Sequence, residues 1–468
     1  MVNKPAFNFI TLSHPDDLKD KDTQKNIRRL AMAEVGRSRR KPKTARAKNE
    51  IALQWRKEDH PLPPGDFDRL GSGTIDPFTQ FPIELDDTAR ALVMFIFQQN
   101  STHSSLLRGS WWPVGLYDAA TFNSVLSNSQ VFLGMQQTGQ SYATEDSVES
   151  LAYYSNAVQI VMRKLDDPKT HTSKELLGAV GSFVCHNHII GAFDHWAQHR
   201  QALLTILDLS GGVESIKNED LRITMSWCEL GGAFALDIPT MIPMPSKWLA
   251  DSKSPPGSPR PLSAISLLWK RQFPMKQDWI TIFDDISQLI SRDRALTDKQ
   301  IEAATASGAW TEPTVIRLLA IRPLHLGICP ASIIEEICRL GTLLFIAPIW
   351  RAMGASPVWT FTFTRKLLYL LNSYVIDWQD VKPLLIWSVY FAAIETNDGT
   401  ERAQFCSMLA VLITRLRIPT WETLMEVVKN VLWMDKIFID SDHNIRKEVM
   451  SHVEKIHTNE SDPTSVGF

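Results

Sequence analysis

Residues 175–239 read ELLGAVGSFVCHNHIIGAFDHWAQHRQALLTILDLSGGVESIKNEDLRITMSWCELGGAFALDIP, and their reading decides the fold class. Apolar side chains return at helical spacing through Leu176, Leu177, Val180 and Val184, and again through Leu203, Leu204, Leu207 and Leu209. That period belongs to two packed amphipathic helices rather than to strands. Gly211 and Gly212 close the second helix, because glycine enters the left-handed conformation of a helix C-terminus without a Cβ penalty. A third helix follows, with Asn218 or Asp220 as its cap. It turns Leu221, Met225, Cys228 and Leu230 towards a core, and Pro239 lies beyond its end.

The same stretch holds the densest histidine cluster. His188, His195 and His199 are spaced by seven and four residues, and on one unbroken helix they share a face, an arrangement able to hold zinc. Gly191 breaks that helix and separates His188 from the other two. Trp196, Ala197 and Gln198 fill the positions where a zinc protease places its general-base Glu. The competing reading satisfies these histidines by hydrogen bonds between packed helices and assigns no metal and no cofactor.

Outward from this centre, the chain continues in the same style. Of 468 residues, 44% are hydrophobic and 22% charged, the make-up of a soluble globular protein with a sizeable core. Length alone suggests about three domains, although helical arrays run longer as one unit. Five scattered cysteines, at 185, 228, 329, 338 and 406, contain no C-x-x-C spacing, so neither a disulfide framework nor a zinc ribbon is expected, and a reducing compartment is. The apolar patch from Phe7 to Leu12 is too short for a signal peptide. The greasiest segment, Ile333 to Trp350, carries Glu335, Glu336 and Arg339 and so excludes a membrane span.

Charge divides the chain. Residues 1–60 hold 15 Lys and Arg against 8 Asp and Glu, a net of +7 that leaves −10 for the remainder. Ser13-His-Pro-Asp16 opens a helix that Ile27, Leu30, Ala31 and Val35 line and Gly36 ends. Next comes RSRRKPKTARAK, in which Arg37, Arg39, Arg40, Lys41, Lys43, Arg46 and Lys48 stand without an acid. A run of this kind serves as a nuclear-import signal, as an arm contacting nucleic-acid phosphates without sequence preference, or as a solvated linker. Pro61-Leu-Pro-Pro-Gly65 and Gly71-Ser-Gly73 mark a linker to about residue 80.

The body is expected over 81–458, with a Pro-rich loop at 238–261 and a polar tail at 459–468. Asp86 and Asp87 cap a helix through Phe97, Trp111-Trp112-Pro113 is read as loop, and helices follow over 117–136, 147–165, 174–190 and 193–209. More are expected over 276–306, 331–353, 362–376, 382–394, 400–416, 420–436 and 441–457. The architecture predicted is all-α, a multi-helix array of antiparallel helix pairs preceded by a basic, partly disordered arm.

No G-x-S-x-G, G-x-x-x-x-G-K-S/T, H-E-x-x-H or C-x-x-C occurs. Asp440-Ser-Asp442-His-Asn444 starts like a calcium loop but places Ile445 where glycine is needed and Ser451 where the bidentate acid belongs, which leaves it as a helix cap. The acid pairs Asp166-Asp167 and Asp284-Asp285 read as surface caps. These observations assign no catalytic residue and no reaction.

Four stretches together resemble one family, the regulatory region of fungal zinc binuclear-cluster transcription factors known as the fungal-specific transcription factor domain. They are the arm with FNFITLSHPDD and IRRLAMAEVGRSRRK, the central WAQHRQALLTILDLSGG followed by LRITMSWCELGGAFALDIP, then KPLLIWSVYFAAIET, then WETLMEVVKNVLWMD. The resemblance implies an all-α body, nuclear residence and a role in transcriptional regulation through protein partners of the transcription machinery. Full members add a six-cysteine cluster that holds two zinc ions and sets a helix in the major groove. These 468 residues contain none, so zinc-dependent DNA reading does not carry over. Two other readings stand beside it: a small-molecule sensor or enzyme with a pocket near His195 and His199, and a chain whose zinc cluster is encoded upstream.

Overall fold

The computed structural model describes residues 80–98, 111–143, 145–246, 248, 311–352, 355–438 and 443–461. Every regular element among them is helical. In chain order these are α1 (Asp87–Ile96), α2 (Trp112–Gly115), α3 (Ala119–Thr138), α4 (Val148–Asp166), α5 (Lys174–Ile189), α6 (Phe193–Leu209) and α7 (Glu219–Leu236). After an interval come α8 (Glu312–Ala320), α9 (Pro330–Ala352), α10 (Phe361–Ser373), α11 (Lys382–Glu395), α12 (Gly399–Arg415), α13 (Trp421–Val431), α14 (Asp435–Phe438) and α15 (His443–Ser461). The basic run Arg37 to Lys48, the linker, the helix expected over 276–306 and the tail from 462 lie outside the described residues.

Local chemistry accounts for the boundaries. Asp86, Ser147, Ser173, Asn218 and Thr420 each accept a backbone N–H of the turn that follows, satisfying donors that a helix start leaves unpaired. The stop at Gly211 and Gly212 takes the expected form: both have positive φ, +97° and +83°, and the Gly212 N–H donates to Leu207 O at 2.9 Å. Gly191, at φ +70°, separates α5 from α6.

Three segments differ from the sequence expectation. The helix expected over 420–436 ends at Val431, where Leu432 turns extended, and α14 starts afresh at Asp435. The other two involve proline. Trp111-Trp112-Pro113 is not loop but the start of the helical turn α2, because Pro113 presets the helical φ at a position whose N–H would be unpaired anyway. The Trp112 ring, edge-on to Phe81, Phe97 and Phe122, fastens that turn. Helix α8 went unexpected for the same reason, since Pro313 reads as punctuation yet falls in its first turn.

Successive helices pair antiparallel. Lys164 near the end of α4 reaches Asp118 at the head of α3, while Ser150 near the start of α4 meets Ser127 in mid-α3. In the next pair His199 lies against Phe183, and Ser210 donates to Thr172 O at 3.2 Å. Helices α9 and α11 form the interior of the second half. Their residues are buried on nearly every face, as an all-round apolar helix must be. Gly341 faces Ser388, Phe345 faces Trp387 and Phe391, and Arg351 pairs with Glu395. These contacts climb together, so α9 and α11 run in the same direction, and α10 carries the chain back between them. No helix among the described residues is long and apolar enough to cross a membrane.

Candidate functional site

A cleft of about 440 Å³ opens where the end of α7 meets the turn after α8 and the outer face of α10. At its base is Asp237, which ends α7 in the left-handed conformation at φ +53°, a region that a short polar side chain tolerates better than most. Its side chain is 1% exposed. Arg339, from the middle of α9, is fully buried and grips both Asp237 carboxylate oxygens, at 2.8 and 2.9 Å. The rest of the Arg339 guanidinium takes both oxygens of Glu336, at 2.8 and 2.6 Å. Arg322 adds a bond to Asp237 Oδ1 and another to its backbone carbonyl, each 2.9 Å. Lys366, from α10, reaches Asp237 Oδ2.

Burial pushes the Asp237 carboxyl upwards, but the Arg339 hydrogen bonds and charge, with Lys366 and Arg322, outweigh it and hold it down at about 2. On the partner side burial works against the Arg339 charge, and Glu336 and Asp237 overcome it, so the guanidinium stays ionised. The network sets three cations against two carboxylates. Two of the cations, Arg322 and Lys366, line the cleft, together with His325 and Tyr369 and with apolar Ile238, Pro239, Leu324 and Leu370.

The three histidines singled out in the sequence do not converge. His188 is buried at the end of α5 and its Nε2 donates to Pro357 O at 3.1 Å; burial pushes its pKa down to about 4. His199 Nε2 is 3.2 Å from the Tyr154 hydroxyl, and burial, reinforced by the nearby His195 and His186, lowers its pKa too. His195 is exposed. Among the described residues no group of three or more His, Cys, Asp or Glu is placed to hold a metal ion. Beside His188 there is a cavity of only about 30 Å³, walled by Trp111, Trp227, Phe234 and Trp350.

A constellation that sequence reasoning missed lies in the first half. His186 Nε2 is 2.7 Å from Asp146 Oδ2, and its Nδ1 is 3.0 Å from Asn128 Oδ1 and 3.4 Å from Ser127 Oγ. Serine, histidine and carboxylate stand in the order of a hydrolytic triad. Ser127 is fully buried, however, and its hydroxyl is engaged with Ser150 at 2.9 Å. A nucleophile must reach its substrate, so this network cross-braces α3, α4 and α5. Nothing local in the sequence links these residues, since Ser127 and His186 stand 59 positions apart.

One more surface stands out. Val148, Leu151, Met162 and Leu165 on α4 are 80%, 46%, 56% and 42% exposed, and their spacing gathers them along one side of the helix. This stripe comprises the large apolar side chains that the helix leaves exposed.

A family model described as a fungal specific transcription factor domain matches residues 84–436. No curated protein and no solved structure matches the chain.

Proposed function

The chain belongs to the family of the fungal specific transcription factor domain, and from that premise we propose that it is a nuclear, non-enzymatic regulator of transcription that acts through protein contacts. The observation that carries this reading is the extent of the match, 84–436, which takes in α1 to α13 and with them the cleft and the α4 stripe. The stripe supplies the kind of surface such contacts need. In this reading Arg37, Arg39, Arg40, Lys41, Lys43, Arg46 and Lys48 form the import signal, since receptors reward clustered cations. DNA reading through a zinc cluster is not a part that these 468 residues supply, because they contain no C-x-x-C.

The test is where the protein resides. A fluorescent fusion of the full chain is expected in the nucleus. A version with Arg37, Arg39, Arg40, Lys41 and Lys43 changed to Ala is expected to be lost to the cytosol. A cytosolic location for both would overturn the regulator reading.

A second reading is favoured by the Asp237 cleft, namely that the helical body responds to a small molecule. Its volume of about 440 Å³ falls within the range of small-ligand sites, and it combines apolar walls with a few fixed polar groups. Neither His195 nor His199 is among its described lining residues.

A further inference from the structure

We infer that the Asp237 cleft binds an organic anion with an apolar body, its acidic head held by Lys366 and Arg322. This inference rests on the second reading above, that the cleft takes a small molecule, and adds the class of ligand.

Asp237 and Glu336 supply two negative charges, while Arg322, Arg339 and Lys366 supply three positive ones. Arg339 is fully buried and spends itself on the two carboxylates, so the surplus resides on the two cations that face the cleft. Arg322 directs two bonds to Asp237 and Lys366 one, out of five and three N–H donors respectively. Their side chains are 16% and 46% exposed. They are thus held in place by Asp237 while presenting further donors to the cavity. A cation already fixed by a buried carboxylate loses little freedom when an anion arrives, and that preorganisation favours binding.

The remaining wall decides the rest of the ligand. Ile238, Leu324 and Leu370 line the cleft, and Tyr369 offers a ring that is 64% exposed. Among the described lining residues the carboxylates are Asp237 and Glu336, both already matched, so none of these residues repels an anionic head. An inorganic anion would leave the apolar wall wet. A neutral apolar molecule would leave the cation surplus unmatched. A carboxylate or sulfonate carried on a ring or chain answers both.

The experiment uses the full-length chain and two fluorescent probes that share an aromatic body: 1-anilinonaphthalene-8-sulfonate, which is anionic, and N-phenyl-1-naphthylamine, which is neutral. The anionic probe is expected to bind more tightly than the neutral one. It should be displaced by 1-naphthylacetate and not by inorganic phosphate at equal concentration. Lys366→Gln and Arg322→Gln should each weaken the anionic probe by about tenfold, the scale of one charge-assisted hydrogen bond, and leave the neutral probe alone. Lys366→Arg should retain most of the affinity. Both Gln variants keep the Arg339–Asp237 pair, and circular dichroism checks that they fold. Equal binding of the two probes, or displacement by phosphate alone, would overturn the anion assignment while leaving a ligand cleft standing. Failure of both probes would remove the cleft reading as well. Should the Gln variants prove unfolded, Tyr369→Ala, which lies outside the ion network, is expected to weaken both probes; unchanged affinity there would place the binding elsewhere and overturn the inference.

Discussion

At the scale of the residue, Asp237 and His188 make opposite uses of burial. Asp237 is held near 2, below the ordinary carboxylate value. Its contribution to stability is therefore fully present above about pH 4 and is lost as pH falls from about 4 to 2, an effect of roughly 2 kcal/mol. His188 is held near 4, below the ordinary imidazole value of about 6.5. The unfolded chain thus binds its proton first, and stability falls as pH drops from about 6.5 to 4, by roughly 3 kcal/mol. Urea midpoints measured across pH should show both steps. His188→Gln keeps a donor for Pro357 O and should flatten the upper one. Asp237→Asn should flatten the lower one and cost about 3 kcal/mol at neutral pH, because it leaves Arg339, Arg322 and Lys366 with Glu336 as the one carboxylate of the network. An unchanged slope between pH 6.5 and 4 in His188→Gln would show that this ring is not what titrates.

At the scale of the element, α6 and α7 touch closely enough to require glycine. A Cβ on Gly232 would lie 2.1 Å from Cε2 and 2.3 Å from Nε1 of Trp196. That indole is fully buried and donates to Cys228 O at 3.3 Å, so it has no free direction in which to move. Gly232→Ala is expected to destabilise the protein by about 3 kcal/mol through overpacking, against the gain of a few tenths to 1 kcal/mol that Ala brings to an exposed helix. A urea midpoint equal to that of the parent chain would mean that the two helices are not so tightly joined. The helices themselves were legible. Ser, Thr, Asp and Asn caps, the Gly211-Gly212 stop and the apolar period are all local, and expected and observed boundaries agree within a few residues from α3 to α7. Segments with proline in the first turn were not legible, because Pro113 and Pro313 carry the same signal in a loop and at a helix start.

At the scale of the whole molecule, the charge division separates the readings of the basic arm. If the seven cations from Arg37 to Lys48 meet phosphates rather than an import receptor, duplexes of unrelated sequence should bind alike. That binding should fall by roughly a thousandfold between about 50 and 200 mM salt and vanish in the arm variant. Fluorescence anisotropy reads all three. Sequence-selective binding that survives the higher salt would contradict the phosphate-contact use of the arm and call for a DNA-reading element elsewhere.

The sequence by itself determined the helical class, most helix ends and the sign of the charge in residues 1–60 and in the remainder, since all of these follow from spacing and composition along the chain. The Asp237 network belongs to tertiary structure. Glu336 and Arg339 could be seen as paired charges in a greasy helix, three residues apart. Yet Asp237 stands 102 residues from Arg339 and Lys366 a further 27 beyond it, with no local period linking them. The same holds for Ser127, Asp146 and His186, and for the dispersal of His188, His195 and His199. A helix boundary is set by groups within one turn of each other, whereas a buried charge takes its partners from whichever helices the apolar faces bring alongside.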